Sequence, residues 1–285
     1  MVELFRSIFL FFRNIGLIYT NRGGYQSRIK LQLFRDYVKL FLFDILPPSL
    51  KSQIHHLTFL GHKLYFPDLH TTVKLIESIF IDLEYYFDAK NTSPKIIDLG
   101  SNIGLSVIYF KCAYPQCHII AFEADPSTFE ILSKNIQSYD LSSVVAHNLA
   151  VIGSAGFADF YIDRQSVGSP LMSTSPLRIR DSRKIKVSSI KLSSYINSSI
   201  DLVKMDIEGS EYLVLNDLSS AKRIKFIKEF CIEYHHHIDT KADNFSKFLK
   251  LLEINNFGYQ IHAAQKPPFG LASFEDISIH AYLVL

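Results

Sequence analysis

Acidic side chains in this sequence come directly after short apolar runs, a placement from which a carboxylate can hold hydroxyl groups or accept a proton. Asp98 follows Ile96 and Ile97, and Glu123 stands at the end of the apolar run 117–122. A carboxylate that ends a second strand, about twenty residues beyond a glycine turn, is the usual means of holding both hydroxyls of a ribose. The spacing therefore predicts a ribose-bearing ligand at Glu123.

A glycine turn lies between these two runs. Gly100 and Gly104 bracket Ser101 and Asn102, so the backbone can adopt positive φ and approach a ligand closely where a helix begins. Exposed N–H groups at that helix start favour an anionic or strongly polar ligand. The G-x-G-x-x-G fingerprint of nicotinamide cofactors is absent, because Asn102 occupies the middle of the turn. We expect Asp98, Gly100, Ser101, Asn102 and Gly104 to line a cofactor.

A second acidic group occupies the stretch DLVKMDIEGSE. Asp206 follows an apolar run, and Glu208 and Glu211 stand at the start of the next helical pattern. A later apolar run brings Glu233 and His235 to what should be the same edge of the sheet. Ligands bind and pKa values shift where carboxylates meet at the carboxyl ends of parallel strands. This predicts a reaction centre, although Glu208 and Glu211 could instead complement the positive end of the helix.

The residue types of this second group leave two chemistries open. His235 or Asp206 could act as a general base, with Glu208 and Glu233 as orienting groups. Asp206, Glu208 and Glu233 could equally hold Mg²⁺, which prefers oxygen ligands. The histidine run that begins at His235 does not predict a metal site, because adjacent histidines on a strand point to opposite faces.

Alternating strand and helix patterns must position these groups. They predict an α/β fold with a doubly wound, mostly parallel sheet. Two helical patterns precede the proline pair Pro47-Pro48, and a hairpin pattern follows it. We expect an N-terminal helical extension over 1–50, a hairpin and helix over 51–92 and a ligand-binding domain over 93–285, with one helix over 71–87 and one strand over 144–151.

A long polar segment interrupts the later part of the chain. Residues 165–183 are rich in Ser, Pro and Arg and lie between two strand patterns. A loop of this length in a compact domain is usually functional or mobile. We interpret it as a wall on the substrate side, with Ser166, Ser169 and Arg178 as contacts. A solvated hairpin tip is the alternative.

Composition and charge narrow the function. The chain has 285 residues, of which 48% are hydrophobic and 20% charged, and a formal net charge of +2, which gives no global case for nucleic-acid binding. Residues 1–66 nevertheless carry nine Lys or Arg against three Asp or Glu. The three cysteines form no C-x-x-C pair, which favours a reducing compartment and predicts a cytoplasmic protein.

Residues 3–19 are apolar enough to raise the question of a membrane span. Arg6 and Arg13 interrupt the run, which falls short of the roughly twenty apolar residues that a span needs, and no small-residue cleavage site follows. We expect a helix packed on the body of the protein or on a second subunit. The alternative is a basic amphipathic helix that rests on the inner face of an anionic membrane.

The motifs DLGSNIG, AFEADP, NLAV and KMDIEGSE, in this order and spacing, resemble the FkbM family of S-adenosylmethionine-dependent methyltransferases over roughly residues 95–234. The resemblance implies a seven-stranded, Rossmann-like methyltransferase fold with S-adenosyl-L-methionine as cofactor. It also implies O-methylation of a hydroxyl on a sugar, glycan or natural product, often in polysaccharide assembly.

The resemblance assigns roles to individual residues. It places the glycine turn at the methionine part of the cofactor and Glu123 at its ribose. The remaining positions would be Ala124, Asp125 and Ala150 at the adenine, and Asp206, Glu208 and Glu211 near the reaction centre, where Glu211 would contact the acceptor.

Two other classes of function stay open at the level of the sequence. A dinucleotide-dependent oxidoreductase or epimerase would share the sheet and the ribose acid, but the third glycine and a Tyr-x-x-x-Lys pair are not evident. The other class is a non-catalytic scaffold that binds the cofactor and contacts a membrane through its basic N-terminal region, residues 1–66. The expected partner is a small-molecule or glycan hydroxyl acceptor, and no nucleic acid.

Overall fold

The computed structural model describes residues 2–20, 25–163, 172–173, 182–236, 244–263 and 275–284. The chain divides into two compact units. The N-terminal unit comprises Met1–Asp88, Ile103–Pro115 and Ile131–Ser142, and the sheet unit comprises Ala89–Asn102, Gln116–Glu130 and Ser143–Leu285. The division of the chain at residues 50 and 92 stays a prediction.

The α-helices of the described residues are α1 (Val2–Thr20), α2 (Ser27–Asp44), α3 (Pro48–Lys51), α4 (Leu69–Ile76), α5 (Leu105–Ala113), α6 (Pro126–Ser138), α7 (Glu211–Ser220) and α8 (Phe245–Ile254). Among these helices, none combines the length and the apolar character that crossing a membrane requires.

The strands of the described residues are β1 (His56–Phe59), β2 (His62–Tyr65), β3 (Lys95–Leu99), β4 (His118–Phe122), β5 (Val144–His147), β6 (Ala150–Val151), β7 (Gly156–Asp163), β8 (Met172–Ser173), β9 (Ser182–Ile190), β10 (Ile200–Met205), β11 (Ile227–His236), β12 (Phe257–Ala263) and β13 (Glu275–Leu283).

Helix α4 of the N-terminal unit is shorter than the sequence predicts. It begins at Asp68, whose carboxylate accepts the N–H of Thr71 at 2.7 Å, and it continues only as a π-helical turn over Glu77–Ile81. The prediction of a helix over 71–87 is therefore wrong at its end. Tyr85 and Phe87 are buried but not helical, so the apolar pattern continues beyond the end of the helix.

The sheet unit contains a seven-stranded sheet in the order β12-β13-β11-β10-β3-β4-β5. The pairs β11–β10, β10–β3, β3–β4 and β4–β5 are parallel, and β13 runs antiparallel to both of its neighbours. This confirms the predicted α/β class with a mostly parallel, doubly wound sheet, an N-terminal helical extension and the hairpin β1–β2.

The central strands are buried on both faces. Ile97 and Val203 on one face, and Ile96 and Leu202 on the other, have almost no exposed surface, as is typical of parallel strands in a covered sheet. Complete burial of such a side chain contributes about 1.5–3 kcal/mol to folding. The ends of β3 and β10 are therefore held firmly, and so are the polar groups that follow them.

The single strand predicted over 144–151 is wrong, because the structure divides it between two sheets. β5 closes the seven-stranded sheet, while β6 belongs to a four-stranded sheet in the order β6-β9-β7-β8. Asn148 lies at the break, and its side-chain amide donates to the carbonyls of Glu123 at 2.9 Å and Ala124 at 3.1 Å. These bonds turn the chain away from β4, an interaction that local periodicity does not encode.

Candidate active site

A cavity of the sheet unit lies at the carboxyl ends of β3, β4 and β10. Its volume, including the part open to solvent, is about 610 Å³. It is lined by Gly100, Asn102, Phe122, Glu123, Ala124, Asp125, Thr128, Leu149, Ala150, Val151, Phe160, Asp206, Ile207 and Glu208.

The glycine turn packs against the end of β10. Gly100 has a φ of +76°, and a Cβ added there would lie 1.8 Å from the carbonyl oxygen of Asp206. The backbone N–H groups of Gly100 and Ser101 both donate to the carbonyl of Phe122, at 3.0 and 2.9 Å. Position 100 therefore requires glycine for its backbone conformation and for the close approach of two strand ends.

Glu123 is buried and holds the backbone around the turn. Its Oε2 accepts the N–H of Asn102 at 2.8 Å, and its Oε1 accepts the N–H of Asp125 at 2.9 Å. Burial raises the pKa of the Glu123 carboxyl to about 7, although these two backbone hydrogen bonds lower it. A carboxylate oxygen has two acceptor positions, so each oxygen can accept a further hydroxyl from the cavity.

Asp125 and Thr128 support this wall at the start of α6. The Asp125 carboxylate accepts the N–H groups of Ser127 and Thr128, both at 3.3 Å, and the Thr128 hydroxyl at 2.8 Å. This is an N-cap, as the Asp-Pro pair in the sequence predicts.

Lys204 is buried and contacts both the glycine turn and the acids at the ends of β3 and β10. Its Nζ lies 3.4 Å from Asp98 Oδ1 and 3.7 Å from Asp206 Oδ2, and it donates to the carbonyl of Gly100 at 2.6 Å. Burial would lower the pKa of this ammonium, but the charges of Asp98, Asp206 and Glu233, in that order, raise it above its usual value. Lys204 is therefore a buried cation that fixes the turn and both strand-end acids.

The sequence motifs did not predict this role of Lys204. The available signal was a lysine inside an otherwise apolar strand, since lysine is almost never fully buried unless it is paired.

His235 lies behind the cavity, inside a cluster of carboxylates. Its Nδ1 is 2.7 Å from Glu211 Oε1, and its Nε2 is 3.0 Å from Glu208 Oε2 and 3.7 Å from Asp206 Oδ1. Glu211 Oε1 also accepts the N–H of Gly209 at 2.9 Å. Glu211 therefore holds the ring of His235 at Nδ1, and Nε2 faces Glu208 and Asp206.

Two overlapping groups in the described residues have the geometry to hold a metal ion. One comprises Asp206, Glu208 and His235, and the other comprises Glu233, His235 and Asp276, with the ligand atoms of each group within 4.8 Å of one another. The predicted magnesium set differs, because it combined Glu233 with Asp206 and Glu208 and left out the imidazole.

The structure brings most of the predicted cofactor residues to the cavity wall. Asp98 and Ser101 are buried behind the turn, where the Ser101 hydroxyl donates to the Asp98 carbonyl at 3.0 Å. Gly104 starts α5 in the N-terminal unit with a φ of +91°. The predicted residues that line the cavity are Gly100, Asn102, Glu123, Ala124, Asp125, Ala150, Asp206 and Glu208.

The predicted substrate contacts are placed differently. Glu211 was expected to contact the acceptor, but its side chain is 1% exposed and bonded to His235, which is the position of an orienting group. Ser166, Ser169 and Arg178 lie outside the described residues. The sequence analysis also missed the apolar wall, which comprises Phe122, Leu149, Val151, Phe160 and Ile207.

A mostly parallel, doubly wound sheet whose strand ends hold a glycine turn, a ribose-type acid and an acidic group on one cavity defines a Rossmann-like methyltransferase fold. A family model described as the methyltransferase FkbM domain matches residues 98–261. The chain belongs to this family of methyltransferases, as the motifs predict.

Named relatives are also methyltransferases. Methyltransferase 1 of Beauveria bassiana is 26% identical over 212 residues, which cover 67% of this chain and 83% of the relative. Methyltransferase sdnD of Sordaria araneosa is 30% identical over 172 residues, which cover 50% of this chain and 66% of sdnD. The solved methyltransferase FkbM of Methylobacillus flagellatus is 15% identical with a TM-score of 0.44, over 99% of this chain and 60% of its own.

Proposed function

We propose that this chain is an S-adenosylmethionine-dependent O-methyltransferase that acts on a hydroxyl of a sugar, a glycan or a natural product. The observation that carries the proposal is a single cavity with a buried ribose-type carboxylate, Glu123, on one wall and the acidic pair Asp206 and Glu208 on another.

The charge of the cavity favours this cofactor over a dinucleotide. The described residues that line it include four acids, Glu123, Asp125, Asp206 and Glu208, and no Lys or Arg. The negative charges of a pyrophosphate would be repelled by these carboxylates. The sulfonium cation of S-adenosylmethionine, which carries no phosphate, would be attracted to them. The dinucleotide-dependent oxidoreductase or epimerase is disfavoured for this reason and because of the family match.

The walls also suit the parts of the cofactor. Glu123 has acceptor positions left for two ribose hydroxyls. Leu149, Ala150, Val151 and Phe160 form an apolar surface against which adenine can pack. Asp98 and the glycine turn, held by Lys204, would support the methionine part.

The mechanism needs little bond-making chemistry from the protein. When bound, S-adenosylmethionine supplies a methyl group that its sulfonium already activates. The chain must align the acceptor oxygen in line with that carbon and remove the hydroxyl proton. Asp206 is our choice for the base, because it lines the cavity and its oxygens lie 3.7 Å from the nearest ionic partners.

His235 is better suited to hold Glu208 than to contact the acceptor. Its side chain is 1% exposed and does not line the cavity, whereas Glu208, 3.0 Å from its Nε2, does. Glu211 orients the ring through Nδ1.

The first test is calorimetric titration of the full chain with S-adenosylmethionine, S-adenosylhomocysteine and NAD. We expect both sulfur nucleosides to bind and NAD not to bind. Binding of NAD alone would refute the cofactor assignment. Absence of methyl transfer to any acceptor, with the cofactor bound, would favour the non-catalytic scaffold.

The second test compares two carboxylates at opposite ends of β10. Asp206→Asn should lower kcat by about 10²–10⁴-fold with little change in cofactor affinity, as loss of a general base does. Asp201→Asn is the matched control, because Asp201 pairs with Lys228 at the other end of the strand, and it should retain kcat. Equal kcat values in the two variants would exclude Asp206 as the base.

The acceptor class is tested by the bond that forms. A panel of sugars, glycans and polyketide-like phenols and alcohols, incubated with methyl-labelled cofactor, should give methyl ethers, identified by mass spectrometry and NMR. An N-methyl product or a methyl ester would contradict O-methylation.

The same assay tests the open question of a metal. Activity is measured after EDTA treatment and again after Mg²⁺ is restored. Loss and recovery would indicate that Asp206 and Glu208 act as metal ligands, while unchanged activity would favour Asp206 as a direct base.

A further inference from the structure

The first two helices carry exposed apolar side chains that the proposed methyltransferase site leaves unused. α1 exposes Phe9, Phe12 and Tyr19 by 71%, 67% and 54%. Gly16 lies between them on the same side, and within the described residues no atom beyond its chain neighbours and the nearby backbone of its own helix lies within 4 Å of the position that its Cβ would occupy. These positions recur at helical spacing and form one stripe along the helix.

α2 carries a second exposed stripe with a different composition. Leu31 and Leu42 are 63% and 55% exposed, and Arg28, Arg35 and Lys39 are exposed between and beside them. Cationic side chains thus alternate with leucines along about four turns of the helix.

The two stripes lie next to each other. Phe11 of α1 stacks on Tyr37 and contacts Phe41 of α2, while Tyr19 contacts Phe34. Contacts that run in opposite directions along the two helices mean that they form an antiparallel pair. Their other sides are buried in the N-terminal unit, and we call the exposed side of the pair, comprising Phe9, Phe12, Gly16, Tyr19, Arg28, Leu31, Arg35, Lys39 and Leu42, the outer face.

The acids of α2 turn away from the outer face. Asp36 is fully buried and accepts the N–H of Leu60 at 2.7 Å as well as the Nε of Arg35. Asp44 is 15% exposed and contacts Lys51 and His70. Arg35 is therefore paired, and in the described side chains of the two helices no exposed acid balances Arg28 or Lys39.

We propose that the outer face binds an anionic lipid surface, so that the protein is a peripheral membrane protein that does not span the bilayer. Aromatic and leucine side chains fit the boundary between headgroups and acyl chains, and the cations fit anionic headgroups. A two-fold pairing of two copies would instead bring the same cations together, since a symmetric interface presents one patch to itself.

The first experiment is flotation of the full chain with vesicles of phosphatidylcholine alone and with phosphatidylserine added. We expect flotation with the anionic vesicles only, and release in high salt because the Debye length shortens. A wild-type chain that stays unbound with anionic vesicles would overturn the proposal.

Two double variants distinguish vesicle binding by the outer face from non-specific binding by other exposed residues. Phe9→Ser with Phe12→Ser, and Arg28→Glu with Lys39→Glu, should each weaken binding to anionic vesicles at least tenfold. The matched controls are Phe157→Ser, a residue 69% exposed in the sheet unit, and Lys225→Glu with Lys247→Glu, which are exposed there too. Equal loss in the controls would overturn the assignment to the outer face.

A fluorescence measurement guards against misfolded variants. The chain contains no Trp, so Phe12→Trp and Phe157→Trp each carry a single reporter. Anionic vesicles should shift the emission of the Phe12→Trp protein to shorter wavelength and leave that of Phe157→Trp unchanged. If neither shifts and light scattering shows a dimer that Phe9→Ser with Phe12→Ser dissociates, the face is a contact between copies and the lipid proposal is wrong.

Discussion

Lys204 shows how one side chain can connect two strands that are distant in sequence. β3 and β10 pair in parallel with Lys204 opposite Asp98, so the ammonium and the carboxylate lie on neighbouring strands in a fully buried layer. The same ammonium reaches the carbonyl of Gly100 at 2.6 Å. Sheet stability and the shape of the turn therefore depend on the same cation.

Replacing Lys204 tests this connection. Lys204→Met should lower the free energy of unfolding by about 3–5 kcal/mol, because it removes the ammonium that faces the buried carboxylate of Asp98, and should weaken cofactor binding. Lys228→Met breaks an exposed pair with Asp201 and should cost less than about 1 kcal/mol. Denaturant unfolding and calorimetry of both variants provide the comparison, and equal stabilities would contradict the role of Lys204.

Glu123 gives the site a pH dependence. Its pKa in the folded protein is raised from 4.5 to about 7, so between these values the folded state retains a proton that the unfolded state has lost. Its contribution to the free energy of unfolding therefore falls as the pH rises through this window and is constant above about 7. The ionised form is the better hydroxyl acceptor, so ribose binding should strengthen over the same rise.

Methylthioadenosine measures this effect without interference, because it carries the ribose but no amino acid. We expect its affinity to increase several-fold as the pH is raised from about 6 to about 8, on the basis of a carboxyl pKa between them. Glu123→Gln should bind more weakly at every pH and show a flat profile. A wild-type affinity that does not change with pH would argue against Glu123 as the ribose acceptor.

At the scale of elements, the site depends on where strands end and how closely their ends approach. β3 ends at the glycine turn, β10 ends at Met205 just before Asp206, and the carbonyl of Asp206 lies against Gly100. The break between β5 and β6 serves the same cavity, because it places Leu149, Ala150 and Val151 on the wall. Irregular backbone at these three places is what opens a binding site at the sheet edge.

Two glycines with positive φ separate strain from close approach. Gly100→Ala adds a Cβ 1.8 Å from the Asp206 carbonyl oxygen, whereas Gly156→Ala, with a φ of +127°, meets nothing within 4 Å. Both should destabilise the fold by about 1–3 kcal/mol from backbone strain, and Gly100→Ala should cost more because the Asp206 backbone must also move. Only Gly100→Ala should abolish cofactor binding by calorimetry, and retained affinity in that variant would show that the turn can move.

At the scale of the whole molecule, cofactor binding should appear as stability. A ligand that binds only the folded state at 100 times its Kd adds about 2.7 kcal/mol, which corresponds to a rise in Tm of several degrees for a chain of this size. Scanning calorimetry should show this rise with S-adenosylhomocysteine and not with NAD. The Asp98→Ala chain should lose it, while a rise with NAD would reopen the dinucleotide alternative.

Much of the fold could be predicted because it rests on local signals. The apolar runs of β3, β4, β10 and β11 indicated buried strands, and Asp125-Pro126 marked the start of α6. The prediction failed in the segment after Ile81, where apolar residues are buried without forming a helix. It also failed at Asn148, where a hydrogen bond to the carbonyl of Glu123, just after β4, interrupts a continuous strand pattern.

The candidate site could be predicted only in part. Residue types and their order indicated a ribose acid, a glycine turn and an acidic group on one sheet edge, and the family match bears out the class of protein. The pairing partners within the edge could not be predicted, since Glu211 to His235 and Lys204 to Asp98 depend on strand order and register.

The sequence by itself determined which acidic residues and glycines are present and that they follow buried strands, because local apolar runs and turn glycines indicate both. Only the tertiary structure decided that Lys204 is the buried cation beneath the turn and that His235 contacts Glu208 and does not line the cavity. The physical reason is that a side chain's neighbours across a parallel sheet come from segments about a hundred residues apart in the case of β3 and β10, and no local pattern specifies that distance or register.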